Sequence, residues 1–409
     1  MRTFCEHGFK ALAGFDKKGS MMRQTRYSFE KGQSLVLLAL LVVGLLAILA
    51  LALDGGNLYF RQRATQNAAD AGALAGARAL CLTKDSGQAA FMASQYAEVH
   101  NGPTVSDVSV VDNTVTVTAR QTFDTYFAHI IGIPQLTTEA IAGAECSNPS
   151  TSNGALPVAW ACKPPIAGGE SSSEDCQEQA ITQEQLQEYI ENPPPPGEIY
   201  PELYIVMDSK SEPDDLAEIC ASEGGWLECD IDGDGDDDLV ANGDRSWLDL
   251  DGGGGGASEL IDWIDGGYPG ELKDHTWFGG QPGVEGSVFQ AVADHVGEIK
   301  AVPVFNAFCD DYPDPRCADA IHAEDTILDS AGGNYYFHVV SFAGFYISCV
   351  NGAGVPGPEC PGHKVARELG SLKHNTKTIE GYFVIGFLPD VGGGGSNFDT
   401  GAYVLKLTR

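Results

Sequence analysis

The most prominent pattern in the chain is an uninterrupted apolar run near its N-terminus. Residues 35–53 hold nineteen positions without a charged or strongly polar side chain. At about 1.5 Å rise per residue these positions form a helix of roughly 28 Å, close to the ~30 Å hydrocarbon core of a bilayer. The sequence therefore predicts one transmembrane helix.

The charges that flank this run predict its orientation. Seven basic side chains against three acidic ones precede it, and the first residue after it is Asp54. Because cytoplasmic flanks carry an excess of Lys and Arg, we expect residues 1–34 to be a basic cytoplasmic stub and the chain beyond residue 53 to be extracytoplasmic. These features predict a single-pass cell membrane protein.

A cleaved signal peptide is the alternative interpretation of the same run. Ala50 and Ala52 fit a small-x-small cleavage pattern, but the apolar region of a signal peptide usually has only about 7 to 15 residues. A retained anchor is therefore favoured, and both interpretations export the C-terminal bulk. Met21 or Met22 would serve equally well as the first residue.

The pattern after the span predicts a small α+β domain over residues 54–146. Residues 57–80 are rich in Ala and lack Pro, which favours a helix that either resumes after a break at residues 54–56 or continues through them. A second helix is expected at 88–99, a hairpin from strands 105–111 and 114–120, a helical segment at 124–131 and a further strand at 136–146. Gly72 and Gly76 permit a close helix approach, most simply onto this same domain.

The rest of the chain divides into a linker and a second domain. Residues 147–200 form a Pro/Ser/Gly-rich linker region that contains a polar helix near 183–191 and four consecutive prolines at 193–196. In residues 201–409 the pattern predicts helices at 257–264 and 288–299. Strands are expected at 203–207, 300–305, 335–347, 379–387 and 403–407. The predicted fold class is α+β: a single N-terminal transmembrane helix extended into an α+β domain, followed by a disulfide-bearing, β-rich or mixed exported domain.

Composition and charge exclude some functions. The 24 Lys and Arg against 57 Asp and Glu give a net charge of −33, which would repel a phosphate backbone, so we expect no nucleic-acid partner. The 43% hydrophobic content is too high for a wholly disordered chain.

The cysteines agree with export, because ten of the eleven follow the span and disulfides form in oxidising compartments. Spacing alone does not establish connectivity. The hypothesis with the shortest local loops pairs 162 with 176, 220 with 229, 309 with 317 and 349 with 360, which leaves Cys81 with Cys146. A zinc site is disfavoured because no CxxC occurs.

The sharpest candidate site is an acidic run with alternating carboxylates. Its members are Asp230, Asp232, Asp234, Asp236 and Asp238, with Gly at 235. Carboxylates at positions 1, 3 and 5 followed by Gly at 6 are typical of calcium loops, since Ca²⁺ takes six to eight oxygens. Position 12 is Ala241 where an EF-hand needs Glu, so calcium binding and a merely solvated acidic turn both stay open.

Other motifs point away from catalysis. The glycines at 252–256 lack the Gly-Lys-Ser/Thr of a phosphate loop, and neither HExxH nor GxSxG occurs. We therefore expect no enzyme, although spatially assembled sites leave a hydrolase as an alternative. Trp247, Trp263 and Trp277 beside acidic residues form a candidate face for surface glycans if exposed; core packing is the ordinary alternative.

A segment near the N-terminus of the chain also resembles a known family. The segment Glu30-Lys-Gly-Gln-Ser34, the apolar span, Asp54, Leu58-Tyr59 and the small-residue stretch 66–78 together resemble the N-terminal module of Flp pilus-assembly TadE/TadG-like proteins of the tight-adherence secretion system. The resemblance covers about residues 28–80. Prepilin-type cleavage after a Gly requires Glu at the fifth position of the mature chain. The fifth residue after Gly32 is Leu37, so this motif is incomplete.

The resemblance implies a function for the whole chain. It predicts a non-enzymatic, membrane-anchored, pilin-like protein that contributes to Flp pilus assembly or to surface adhesion. Its implied partners are other pilins, tight-adherence components and membrane lipid. The alternatives are an exported or anchored hydrolase and a calcium-stabilised structural protein of the envelope.

Overall fold

The structure is a computed structural model of the full chain. It describes residues 33–160, 180–195, 198–209, 247–254, 256–281, 286–310, 325–328, 335–352, 354–355, 357–369, 372–388 and 390–408. The chain divides into two compact units. One contains the chain up to Asn57 together with Asp124–Gln135, and the other contains Leu58–Phe123 and Leu136–Arg409.

The first described element is a single long helix, α1 (Gln33–Thr83), which contains the predicted span. Within the first unit the side chains of residues 35–49 are exposed along their whole length. The carboxylate of Asp54 accepts hydrogen bonds from the backbone N–H groups of Tyr126 (2.7 Å), Phe127 (3.0 Å) and Ala128 (2.7 Å). It thereby satisfies donors at the start of the 3₁₀ turn Ala128–Ile131, which have no partner within that turn.

Of the two alternatives that the sequence left open at residues 54–56, the helix continues, since α1 runs through both glycines. Glycine costs only about 1 kcal/mol relative to Ala in a helix, and strong helix formers flank it on both sides. The expected helical segment at 124–131 is reduced to the 3₁₀ turn, because the preceding strand extends through Asp124 and only the last four residues of the segment are helical. The turn ends at Ile131, as predicted, where Gly132 adopts a left-handed conformation.

The second unit begins with helices packed on a five-stranded sheet. α1 is followed by α2 (Ser86–Ser94) and a π-helical turn (Gln95–His100). Together these two elements occupy the region where the sequence predicted one helix at 88–99. The strands of the sheet are β1 (Thr104–Val111), β2 (Thr114–Asp124), β3 (Gln135–Ser147), β14 (Gly386–Phe387) and β16 (Ala402–Thr408). Their order across the sheet is β1-β2-β3-β16-β14. The predicted hairpin is confirmed, with Val111 opposite Thr114 across the turn.

A larger sheet of eight strands forms the rest of this unit. The eight strands are β5 (Ala180–Ile181), β6 (Tyr204–Asp208), β7 (Trp247–Asp249), β9 (Thr276–Gln281), β10 (Ile299–Asp310), β11 (Thr326–Ile327), β12 (Tyr335–Asn351) and β13 (Thr378–Val384). The central strand, β12, pairs antiparallel with β9, β10 and β13, and the shorter strands extend the sheet at its edges. A three-stranded sheet joins β4 (Thr151–Ser152), β8 (Leu272–Lys273) and β15 (Val391–Gly392).

Four amphipathic helices accompany the eight-stranded sheet, and two of them contribute to the main core. They are α3 (Gln183–Glu191), α4 (Ala257–Gly266), α5 (Gly286–Ala293) and α6 (Pro361–Leu369). Leu260 and Trp263 of α4 and Phe289 of α5 are buried in a core that includes Phe337, Phe342 and Phe345 of β12. The helix expected at 288–299 is shorter than predicted, because Gly297 has a φ of +94° and β10 begins at Ile299.

Two disulfides are present among the described residues. Cys81 at the end of α1 is bonded to Cys146 of β3, and Cys349 of β12 is bonded to Cys360 before α6. These two predicted pairs are confirmed. Each of the other three predicted pairs includes a cysteine that lies outside the described side chains.

The last strand of the chain joins the five-stranded sheet of the second unit. β16 pairs antiparallel with β3, with Leu405 opposite Cys146. The two strands come from the predicted segments 201–409 and 54–146, and one sheet contains both. The predicted domain boundaries themselves stay predictions.

Candidate functional site

Two features of the described residues are candidate functional sites. The first is a seam of small residues along α1. We use this name for Ala69, Gly72, Ala73, Gly76 and Ala77. The three alanines of the seam are fully buried. They pack against alanines of α2 and its π-helical extension and against valines and alanines of β2 and β3, namely Ala89, Ala93, Ala97, Val115, Val117, Ala119, Ala140, Ala142 and Ala144.

The two glycines of the seam are required by the close approach of α1 to its neighbours. A Cβ added at Gly72 would lie 2.9 Å from the carbonyl oxygen of Ala93, and one at Gly76 would lie 2.9 Å from the Ala93 Cβ. Any side chain larger than hydrogen would therefore overlap with α2. The seam packs on the α+β module of its own chain, as the sequence predicted.

The earlier part of α1 has exposed apolar side chains, from Leu35 to Leu49. No residue in the most apolar window of this described helix is buried, and the helix is long and apolar enough to cross a membrane. Tyr59 and Phe60, which follow this run, are about two-thirds exposed. Aromatic side chains at this position are typical of a membrane interface. The coarse prediction of a candidate membrane span is thus confirmed.

The second feature is a cluster of two histidines and one aspartate in the eight-stranded sheet. We call His275, Asp325 and His338 the two-histidine cluster. His275 immediately precedes β9, Asp325 immediately precedes β11, and His338 lies within β12. One ligand atom from each of the three lies within 4.8 Å of the other two.

The geometry of the two-histidine cluster centres on one carboxylate oxygen. Asp325 Oδ1 lies 3.3 Å from His338 Nε2 and 3.8 Å from His275 Nδ1. The other oxygen, Oδ2, accepts a hydrogen bond of 3.0 Å from Trp277 Nε1. The side chains of Asp325 and His338 are buried, whereas that of His275 is 40% exposed. Two imidazoles and a carboxylate at these distances are a donor set that can hold a divalent metal ion.

Of the two sets of site residues that the sequence predicted, one stays untested and the other is placed differently by the structure. Asp230, Asp232, Asp234, Asp236 and Asp238 lie outside the described residues, so the calcium interpretation stays a prediction. The three tryptophans are described and buried, with 1% exposure for residues 247 and 277 and 6% for residue 263. The interpretation of them as an exposed glycan face is therefore wrong, because burial in the sheet core removes the rings from solvent.

Sequence reasoning missed the two-histidine cluster because its members are far apart in the chain. His275 is 50 residues before Asp325 and 63 before His338, so no local spacing motif such as CxxC or HExxH reports them. The only sequence signal is that each residue adjoins or lies within a β-rich segment. The register of the strands brings them together, and no local motif in the sequence reports that register.

These observations first define a class: a protein in which a long apolar helix near the N-terminus continues into an α+β module through a seam of small residues. Comparison with known families then identifies the segment. Residues 32–79 match the family described as "Putative Flp pilus-assembly TadE/G-like". The match covers the apolar run and the small-residue seam and is confined to that part of the chain. No curated protein and no solved structure matches the chain.

Proposed function

We propose that this chain is a single-pass, pilin-like membrane protein with its N-terminus in the cytoplasm, and that it contributes without catalysis to the assembly of a Flp-type pilus. The observation that carries the proposal is the family match over residues 32–79. That match coincides with the exposed apolar run and the buried seam of α1. In this proposal the run lies in the bilayer and the seam packs on the extracytoplasmic module.

Two further properties support an extracytoplasmic location for the module. The disulfides Cys81–Cys146 and Cys349–Cys360 are stable in oxidising compartments. The net charge of −33 opposes association with anionic lipid headgroups, so the acidic bulk projects into solvent. Other pilins and tight-adherence components are the proposed partners, and attachment to surfaces is a proposed consequence of assembly.

Reporter fusions test the proposed topology. Alkaline phosphatase fused after Arg409 should be active, because that enzyme needs an oxidising compartment, and a fluorescent protein that folds only in the cytoplasm should be dark there. The reverse pair of results would contradict the proposal. A fusion at the N-terminus serves as the internal control and should give the opposite pattern.

Complementation of a deletion strain tests the role in pilus assembly. Loss of surface pili on deletion and their return with the full chain are expected. A variant with Leu45→Arg and Leu46→Arg should fail to restore pili, since each Arg at a helix centre costs about 2.5–3.5 kcal/mol of membrane insertion. The matched variant with Ala at both positions should restore them. Unchanged piliation in the deletion strain would refute the proposal.

A further inference from the structure

We infer that the two-histidine cluster is a binding site for a divalent transition-metal ion of the zinc class, which would tie β9, β11 and β12 together. This inference goes beyond the proposed role in pilus assembly and does not depend on it. The ligands are the two imidazoles of His275 and His338 and the carboxylate of Asp325.

Strand register explains why these three residues meet. β11 and β9 are parallel, with Thr326 opposite Thr276, so the residues immediately before them, Asp325 and His275, lie at the same end of the pair. In the antiparallel pair of β9 and β12, His338 lies directly opposite Trp277. Directly opposite residues of an antiparallel pair share a face, so Trp277 and His338 lie on the same side of the sheet. His275 is two residues before Trp277, and its ligand atom lies within 4.8 Å of that of His338.

The distances suit a tetrahedral ion. Zinc binds imidazole nitrogen at about 2.0–2.1 Å and carboxylate oxygen at about 2.0–2.2 Å, so two such ligands at a tetrahedral angle are about 3.4 Å apart. The His338 Nε2 to Asp325 Oδ1 separation of 3.3 Å matches that edge, and the His275 Nδ1 to Oδ1 separation of 3.8 Å is slightly wider. The His275 side chain is 40% exposed, so it has room to move toward the other two ligands when an ion binds.

Neighbouring groups orient the ligands as they do in metal sites. His338 Nδ1 is 2.8 Å from the side-chain oxygen of Asn306, an arrangement in which Nδ1–H donates and Nε2 is the ring nitrogen that faces the cluster. Asn306 lies at an irregularity of β10, where the register with β12 shifts between Phe305 and Ala307, and such bulges often re-aim a side chain toward a site. Trp277 stacks on the His338 ring at 5.0 Å and also binds Asp325 Oδ2.

The backbone at His275 is a second, independent observation. Its φ is +52°, a left-handed conformation that few residues other than glycine adopt. Such conformations cost about 1–3 kcal/mol and concentrate at functional sites. The buried Nδ1 of His275 has no hydrogen-bond partner among the residues that the structure describes. A metal ion would supply that partner and offset the backbone cost.

Titration with cobalt tests the site on the full-length protein in detergent. The protein is purified without a histidine tag, stripped with a chelator under oxidising conditions and titrated with Co²⁺, whose visible absorption is intense only in tetrahedral coordination. One equivalent should generate this spectrum, and Zn²⁺ should displace it. His275→Ala should weaken binding by at least about tenfold, the lower end of what loss of even an outer-shell partner causes.

A matched control separates this site from incidental histidine binding. His295 also has two acidic neighbours, Glu298 at 2.9 Å and Asp265 at 3.7 Å, but these carboxylates face different ring nitrogens. His295→Ala should therefore leave the cobalt spectrum and its midpoint unchanged. An identical loss in both variants would overturn the assignment.

The remaining outcome is that Asp325 and His338 form only a buried ion pair. In that case Asp325→Asn would lower the melting temperature, Zn²⁺ would not raise that of the wild type, and the cobalt spectrum would not appear. That combination overturns the inference. Because His275 is the exposed member, His275→Ala should fold like the wild type in the absence of metal and lack only the zinc-dependent rise in melting temperature.

Discussion

The tight packing of α1 on its module makes a quantitative prediction at Gly76. An Ala side chain there would place its Cβ 2.8 Å from Val115 Cγ1, 2.9 Å from Ala93 Cβ and 3.1 Å from the carbonyl oxygen of Ala89. Carbon atoms in contact normally lie about 3.5–4.0 Å apart. Two of these neighbours belong to the backbone or Cβ of α2, so α2 itself must move to make room.

The magnitude follows from two opposing effects. Overpacking of this kind costs about 1–3 kcal/mol, while Ala in place of Gly gains about 1 kcal/mol of helix propensity. Gly76→Ala should therefore lower the free energy of unfolding by up to about 2 kcal/mol. Gly56→Ala, on the same helix, has no described atom within 4 Å of its new Cβ and should raise that free energy by about 1 kcal/mol.

Chemical denaturation of the full chain in detergent measures both changes, with hydrogen exchange of residues 86–97 as the local readout. Exchange there should rise in Gly76→Ala and stay unchanged in Gly56→Ala. Adding Ala93→Gly to Gly76→Ala removes one overlapping atom, so the two substitutions should couple favourably by about 0.5 kcal/mol or more. If the two glycine substitutions change stability with the same sign, the reasoning about the seam is wrong.

Three further predictions concern the part of the chain that follows the apolar run of α1. Replacing both Cys81 and Cys146 by Ala should lower the free energy of unfolding by about 4 kcal/mol, the loop-entropy value for a separation of 65 residues, as measured by denaturation with and without reductant. Burial raises the pKa of Glu380 to about 7 despite its hydrogen bonds from backbone N–H groups. The folded state therefore keeps a proton that the unfolded carboxyl releases between pH ~4.5 and ~7. The free energy of unfolding should fall by about 3 kcal/mol as pH rises through that window. Glu380→Gln should lose this pH dependence, and an unchanged pH profile in the variant would refute its assignment to Glu380. If the acidic run binds calcium, a chelator should lower the melting temperature of the wild type but not that of Asp232→Ala with Asp234→Ala, and calorimetry should show calcium heat only for the wild type.

Local chemistry determined much of this protein. The uninterrupted apolar run predicted the exposed helix because a span is a property of consecutive residues, and period-two alternation around residues 112–113 predicted the hairpin β1–β2. Among the cysteines, the short separation of Cys349 and Cys360 predicted one bond, and Cys81–Cys146 followed as the remaining pair. The apolar run, the hairpin and the Cys349–Cys360 bond each depend on residues close together in the chain. The Cys81–Cys146 bond was predicted because the other cysteines had already been assigned to local pairs.

Tertiary structure alone decided the rest. The sequence left open whether Trp277 forms an exposed face or packs in the core, and its burial beside His338 depends on the pairing of β9 with β12. The pairing of β16 with β3 likewise joins residues more than 250 positions apart. The two-histidine cluster exists only because strand register places His275, Asp325 and His338 side by side. Register is set by the cooperative burial of a whole sheet face, and no local pattern in the sequence records which strands will share it.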